Sequence, residues 1–361
     1  MGRWLGAAAW CVAAMACGGD PTGEGSGGSG SGSGSSAGTS TASTSAGTTA
    51  GTSASTTVAD SSGGASTQAG SSSGSDTEVG MPKGEVRFVA LGDAGEGNEA
   101  QFAVGQTIAT VCEERGCDFA LYLGDNFYDV GVDSSMDMQF ETKFEQPYAP
   151  IDFPFHITLG NHDYGLLGND WSRSQAQIDY SAASDKWSLP AEYYGFQVEH
   201  VHFISLDTSQ LFWSQDLEAQ RTFLRAELAA ASDGWTIAFG HHPYISNGDH
   251  GNAGNYEGLG GLIGGDAVQE FFEAEVCGKV HVYLSGHDHS RQWLVSQCGT
   301  EFIVSGAGAK LTELPHRDDN PTHWEDVATP GFFWVEVVDD SFTGVFFDRD
   351  GNAQYERTIT L

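Results

Sequence analysis

Five times along this chain an apolar run closes on a glycine, and within a few residues a side chain able to donate an electron pair follows. The segments are Gly92-Asp93, Gly124-Asp125-Asn126-Phe127-Tyr128, Gly160-Asn161-His162-Asp163, Gly240-His241-His242-Pro243 and Gly286-His287-Asp288-His289. The runs before them, 86–91, 119–123, 155–159, 235–239 and 280–284, are short and mostly apolar, as strands buried on both faces are. In open α/β sheets ligands bind beyond the carboxyl ends of the strands, so five such ends are expected to gather their loops around one crevice. Glycine at each end permits the tight turns and close backbone approach of a crowded site. Asp93, Asp125, Tyr128, Asn161, His241, His287 and His289 together offer two carboxylates, a phenol, an amide oxygen and three imidazoles. That is a donor set for two adjacent cations.

The rest of the apolar pattern fills in the architecture. Residues 98–114 read as a helix with Val104, Ile108 and Val111 on one face, and 215–231 as another with Leu217, Leu224 and Leu228. Asn98 and Gln101 form a capping box at the start of the first, which leaves Asp93 uncommitted as a cap. Residues 302–305, 331–338, 341–347 and 354–360 read as later strands. Helices alternating with strands and then several strands in succession predict an α/β fold, a four-layer α-β-β-α sandwich of two mixed sheets flanked by helices. One large domain over 85–361 accommodates it.

At these residues the chain resembles the calcineurin-like metallophosphoesterases, and within them the purple acid phosphatases. It is most similar to the small tartrate-resistant type, because Gly124 to Tyr128 continues as Asp129-Val130-Gly131-Val132 and the last loop is followed by Ser305-Gly306-Ala307-Gly308. The resemblance implies a first metal on Asp93, Tyr128 and His289, a second on Asn161, His241 and His287, and Asp125 bridging them. It implies His162, and in a nearby loop His250, as catalytic residues that contact the substrate. A phenolate with carboxylates suits Fe(III), whereas imidazole with an amide oxygen suits Fe(II), Zn(II) or Mn(II). The expected reaction is hydrolysis of small phosphomonoesters, with a metal-bound hydroxide as nucleophile and no phosphoenzyme. A protonated His250 is a candidate general acid at mildly acid pH.

Two alternatives stay open: a phosphodiesterase or nucleotidase on the same metals, and a surface-displayed binding lipoprotein without turnover. The chain also departs from the small acid phosphatases. Ala94 stands where they often carry an aromatic residue, and 207–219 is short where mammalian relatives carry a longer regulatory loop. The other histidines, His156, His200, His202, His242, His281, His316 and His323, are not assigned to the site.

Arg3 and the apolar run 4–16 fit an export signal too short to span a membrane. Ala14-Met15-Ala16-Cys17 then resembles a bacterial lipobox, with Cys17 as lipid anchor. Simple secretion is the alternative, so the protein is expected in the bacterial cell envelope, periplasmic or surface-exposed, or outside the cell. Residues 17–84, almost all Gly, Ser, Thr and Ala in their first part, read as a disordered linker. In an exported chain Cys112, Cys117, Cys277 and Cys298 are expected to form two local disulfides, with a structural metal site as the other reading. The net charge of −34 leaves no basic surface for nucleic acid. A monomer is expected, with membrane contact only through the anchor.

Overall fold

The computed structural model describes residues 84–231, 233–256 and 264–361. The export segment, Cys17 and the linker up to residue 83 lie outside the described residues. The strands are, in chain order, β1 (Glu85–Leu91), β2 (Phe119–Leu123), β3 (Phe155–Thr158), β4 (Trp187–Ser188), β5 (Tyr194–Val198), β6 (Val201–Ser205), β7 (Trp235–Phe239), β8 (Val282–Ser285), β9 (Arg291–Leu294), β10 (Glu301–Ser305), β11 (Thr322–Asp326), β12 (Gly331–Val338), β13 (Ser341–Asp348) and β14 (Ala353–Thr360). The helices are α1 (Glu99–Arg115), α2 (Met138–Phe140), α3 (Ser174–Tyr180), α4 (Thr208–Phe212), α5 (Leu217–Ala230) and α6 (Asp266–Phe271).

Two seven-stranded sheets result, ordered β14-β13-β12-β1-β2-β3-β4 and β11-β9-β10-β8-β7-β6-β5. Both are mixed: β1, β2, β3 and β4 run parallel in the first and β6, β7, β8 and β10 in the second, with antiparallel strands toward the β14 edge of the first and both edges of the second. The four-layer sandwich expected from the sequence is therefore present. Its sheets meet face to face where Phe203 of β6 stands edge-on to Phe88 and Phe119, with ring centroids 5.4 and 5.2 Å apart.

Side chains alternate along each strand, so a strand apolar at every position must have both faces covered. In β7, Ile237 and Phe239 enter the core between the sheets while Ala238 faces the outer layer. In β8 and β10, Val282, Leu284 and Ile303 point inward and Tyr283, Phe302 and Val304 outward. The outer layer on that side is α4, α5 and α6, which contribute Leu211, Leu224, Val268 and Phe271. On the opposite side α1 lays Val104, Ile108 and Val111 onto the first sheet. Trp187 is packed there among Phe127, Phe140 and Phe144, at centroid distances of 5.6, 5.4 and 4.8 Å.

Local details refine the sequence reading. The Asn98 side chain caps α1 by accepting from the Gln101 N–H at 3.0 Å, but the Gln101 amide oxygen accepts from Gly97, not from Asn98. The box is thus shifted by one residue on its return bond. The run 280–284 begins two residues late as a strand, because the Val280 N–H is bonded back to Val276 at the end of the preceding helical turn. His323 lies in β11. The cysteines pair locally, Cys112 with Cys117 and Cys277 with Cys298.

Asp207 caps α4 by accepting from the Gln210 N–H at 3.0 Å, and it also accepts from the Tyr164 hydroxyl. Burial raises its pKa to about 7, against the pull of those donors. An acid whose pKa is higher folded than unfolded favours the native state while protonated. Its contribution is complete below the unfolded value of about 4 and is lost as pH rises toward 7. Asp207→Asn keeps an acceptor for the cap and removes the titration. Its urea midpoint is therefore expected to improve relative to the parent between pH 4 and pH 7, by on the order of 3 kcal/mol in stability.

Candidate metal centre

Every donor named from the sequence lies in a loop at the carboxyl end of a strand, three of those strands in one sheet and two in the other. Asp93 follows β1, Asp125 and Tyr128 follow β2, and Asn161 follows β3. His241 follows β7, and His287 and His289 follow β8. The crevice is therefore the seam between the two sheets at one end of the sandwich. Asp93, Asp125 and His287 have φ of 56°, 53° and 69°, the left-handed region that side chains other than glycine, asparagine and aspartate seldom enter. Such backbone is sparsely populated because it is strained, and it concentrates where a site needs donors aimed in an otherwise unreachable direction. The neighbouring glycines give room: a Cβ on Gly160 would lie 2.2 Å from the Asp125 backbone nitrogen, and one on Gly286 2.5 Å from an Asp93 carboxylate oxygen.

The donors fall into two touching groups. In the first, the Tyr128 hydroxyl donates to Asp93 Oδ1 at 3.0 Å and lies 3.2 Å from His289 Nε2, which is 3.6 Å from the same carboxylate oxygen. In the second, His241 Nε2 is 3.1 Å from Asn161 Oδ1 and 3.1 Å from His287 Nδ1. Asp125 connects them, since its Oδ1 is 3.4 Å from His241 Nε2, and its charge acts on both Asp93 and Tyr128. Oxygen or nitrogen atoms of Asp93, Asp125 and His241 all lie within 4.8 Å of one another.

The chemistry of this convergence fits a cation. His241 Nδ1 donates to the Leu123 carbonyl at 2.9 Å, so Nε2 of the neutral ring carries a lone pair. Burial, above all, lowers the pKa of His241, pushes that of His287 far down and brings that of His289 to about 3, so all three rings are neutral donors. The His241 lone pair faces an amide oxygen and a carboxylate oxygen. Burial, and then the charge of Asp125, raises the Asp93 carboxyl well above the usual range. Two carboxylates and several lone pairs buried together repel one another unless positive charge enters.

His162 borders the first group, its ring 4.6 Å from that of Tyr128 and its Nδ1 2.6 Å from the Asp129 carbonyl. Its Nε2 therefore faces the crevice, 4.0 Å from Asp125 Oδ2. The His250 ring stacks on His287 at 4.0 Å, and the His250 backbone N–H donates to the buried Asp288 carboxylate at 2.9 Å. A groove of about 220 Å³ opens beside Asn161, His250 and His287. His242 lines it, fully buried. Ala94 does not, since it is buried against Gly308. His316 pairs with Glu325 at 3.1 Å.

Residues 86–291 match the calcineurin-like phosphoesterase family. The chain belongs to that family.

Its relatives are acid phosphatases. Over 311 residues it is 30% identical to the tartrate-resistant acid phosphatase type 5 of Sus scrofa, an alignment covering 76% of this chain and 86% of that protein. It is 28% identical over 301 residues to purple acid phosphatase 4 of Arabidopsis thaliana, covering 76% and 84%. The chain is accordingly a phosphoesterase, a hydrolase with a candidate metal site. Among solved structures it is similar, with a TM-score of 0.62 and 21% identity, to a protein described as GAP50, the anchor in the inner membrane complex of Plasmodium; the match covers 77% of this chain and 89% of that one. That likeness concerns the fold.

Two residues beside these donors carry no assignment in the sequence reading. Asp163, buried, accepts backbone N–H bonds from Gly160, Asn126 and Phe127 at 2.8 to 3.2 Å. It ties the Asp125 loop to the Asn161 loop. Lys310 holds its ammonium 3.8 Å over the Tyr128 ring while paired with Glu96 at 2.7 Å. Asp163 closes the Gly160–Asp163 motif and was available to notice, whereas no local signal brings Lys310 to Tyr128.

Proposed function

We propose that the protein hydrolyses small phosphomonoesters at a dinuclear metal centre built from Asp93, Tyr128 and His289 on one side, Asn161, His241 and His287 on the other, and Asp125 between. The observation that carries this is the His241 lone pair facing an amide oxygen and a carboxylate oxygen in a buried pocket, next to a second cluster of the same character. Fold alone cannot carry it, since sites and not folds determine activity. Asp93, Tyr128 and His289 would hold Fe(III), and Asn161, His241 and His287 would hold Fe(II), Zn(II) or Mn(II); when bound, such ions would supply Lewis acidity for water activation and positive charge against the phosphate.

The chain's own residues do the rest. His162, anchored through Nδ1 on the Asp129 carbonyl, offers Nε2 to the phosphate. Protonated there, it donates to the ester oxygen as that oxygen takes on charge. His250, fixed by its backbone bond to Asp288, stands at the groove mouth as the second proton donor. The walls around His241 and His287 keep bulk water from the donors, which strengthens every charge interaction inside.

The test is hydrolysis by the purified, metal-loaded protein of phenyl phosphate and of the matching diester, with metal content measured alongside. Monoester preference with two metals per chain is expected. Diester preference would move the reading to a phosphodiesterase, and a fully metallated protein without turnover would make it a binding protein. Burial, with Asp125 and Asp93, raises the Tyr128 pKa, so only a strong Lewis acid would ionise the phenol. Tyr128→Phe in the iron-loaded protein is expected to abolish visible charge-transfer absorption. A variant as coloured as the parent would remove Tyr128 as a ligand.

Export belongs to the same reading. It is supported by two disulfides, which persist in oxidising compartments, and by the N-terminal pattern ending at Cys17. Lipidation predicts that the full-length product enters the detergent phase and that Cys17→Ser does not.

A further inference from the structure

The groove beside Asn161 and His287 has a wall of one chemical kind on the side away from the metal donors. Leu166 and Leu167 stand 76% and 52% exposed at its mouth, on a turn between Gly165 and Gly168, whose φ values are 81° and 67°. Large aliphatic side chains held in solvent at the lip of a site contribute little to the native core, so their gain comes when something covers them. Across from them, Phe212 and Trp213 end α4, edge to face at 5.6 Å. Phe212 lies parallel to the His242 ring at 5.5 Å, and Tyr256 closes the groove 6.1 Å from Phe212 and 6.0 Å from His287. The Tyr256 hydroxyl is directed away, donating to the Pro243 carbonyl, so the ring offers the groove its apolar body.

Among the described residues the groove also lacks what a polyanion needs: none of those lining it is Lys or Arg. Arg173, under the Gly165 turn, is held by Asp170, Asp133 and the Val130 carbonyl. Lys310, on the Tyr128 side, is paired with Glu96. Size restricts the occupant further: pockets for drug-sized ligands measure roughly 300–1,000 Å³, and this one measures about 220 Å³. A single ring fits this volume better than a nucleotide.

We infer that the groove is a subsite for one aromatic ring on the alcohol side of the ester, so that the enzyme takes phosphorylated phenols in preference to nucleoside polyphosphates and sugar phosphates. This rests on the phosphomonoesterase reading above. The phosphate sits among the donors, and the ring slots between Leu166 and Leu167 on one side and Phe212, Trp213 and Tyr256 on the other. Aromatic faces and edges there add to area burial.

Aryl esters also react faster because phenols leave readily, so turnover alone does not isolate the subsite. Phosphonates do, because they are not cleaved. Full-length, metal-loaded protein is assayed for competitive inhibition by phenylphosphonate and methylphosphonate. Phenylphosphonate is expected to bind tighter by about tenfold, from burial of one ring. Leu166→Ser, at a mostly exposed position that puts folding at little risk, and Trp213→Ala are each expected to bring that ratio near one, while the methylphosphonate constant reports whether the donor cluster is intact. A ratio near one in the parent overturns the inference, and so does a tenfold ratio kept by both variants or tighter inhibition by an adenosine-bearing phosphonate. If the parent cleaves phosphomonoesters in any of those cases, the phosphatase reading survives. If it neither cleaves them nor binds either phosphonate, that reading fails and takes the subsite with it.

Discussion

Asp125→Asn is expected to lower kcat/KM for an aryl phosphate by at least about 100-fold and to reduce the metal bound per chain. Loss of a residue that only orients a ligand costs about 10- to 100-fold in metal affinity or activity, and Asp125 is placed to act on both donor groups directly. One of its oxygens lies 3.4 Å from His241 Nε2 and accepts the His162 N–H at 2.9 Å. Its charge is felt at Asp93 and Tyr128 on the other side. The substitution is informative because asparagine has nearly the same shape and also tolerates the φ of 53° found here. The backbone turn and the His162 bond can survive it while half of the carboxylate's donor capacity and all of its charge are lost. Metal content by mass spectrometry and turnover are to be measured on the same sample. A variant that keeps two metals and parental turnover would remove Asp125 from the centre and with it the two-group arrangement.

How far such a site can be read from sequence depends on which interactions are local. The strands β2, β7 and β12 match the expected runs because a short stretch so rich in large apolar side chains has few other uses. The five glycine-bounded loops were legible for a related reason, since a polar donor directly after a buried strand calls for an explanation. The short strand β4 and the edge strands β5 and β11 were not legible. Their burial is mixed, and their pairing depends on neighbours far away in the chain. The glycines drew attention as the turn formers, yet of the five only Gly124 has a positive φ, and the left-handed backbone at three of the loops belongs to Asp93, Asp125 and His287 themselves, which only the assembled site reveals. The walls of the groove were invisible for the same reason. Leu166 and Trp213 have no pattern in common until β3 and α4 bring their loops together.

The largest effect on folding and site together is expected at Asp163, a residue with no direct contact to the donor atoms of either group. Its Oδ2 accepts from the Gly160 N–H at 2.8 Å and its Oδ1 from the Phe127 N–H at 3.2 Å and the Gln177 side chain at 3.0 Å, with the Asn126 N–H shared between them. Burial, reinforced by Asp125, raises its pKa to about 7, so the carboxyl is held there against its preference for water. Asp163→Ala leaves three buried backbone donors and one side-chain amide without an acceptor. Each such orphan costs about 1–3 kcal/mol, so a loss of roughly 3 kcal/mol or more is expected in urea unfolding. Because those N–H groups belong to the loops that carry Asp125 and Asn161, metal affinity should fall with stability. Asp163→Asn separates the two effects, since its amide oxygen can keep the bonds to Asn126, Phe127 and Gln177 while its NH2 confronts the Gly160 N–H. An intermediate loss in Asn, and the full loss in Ala, is the expected order. If Asp163→Ala instead unfolds at the parental urea concentration and binds metal as the parent does, the two loops are held by something else, and their packing against β2 and β3 alone must position Asp125 and Asn161.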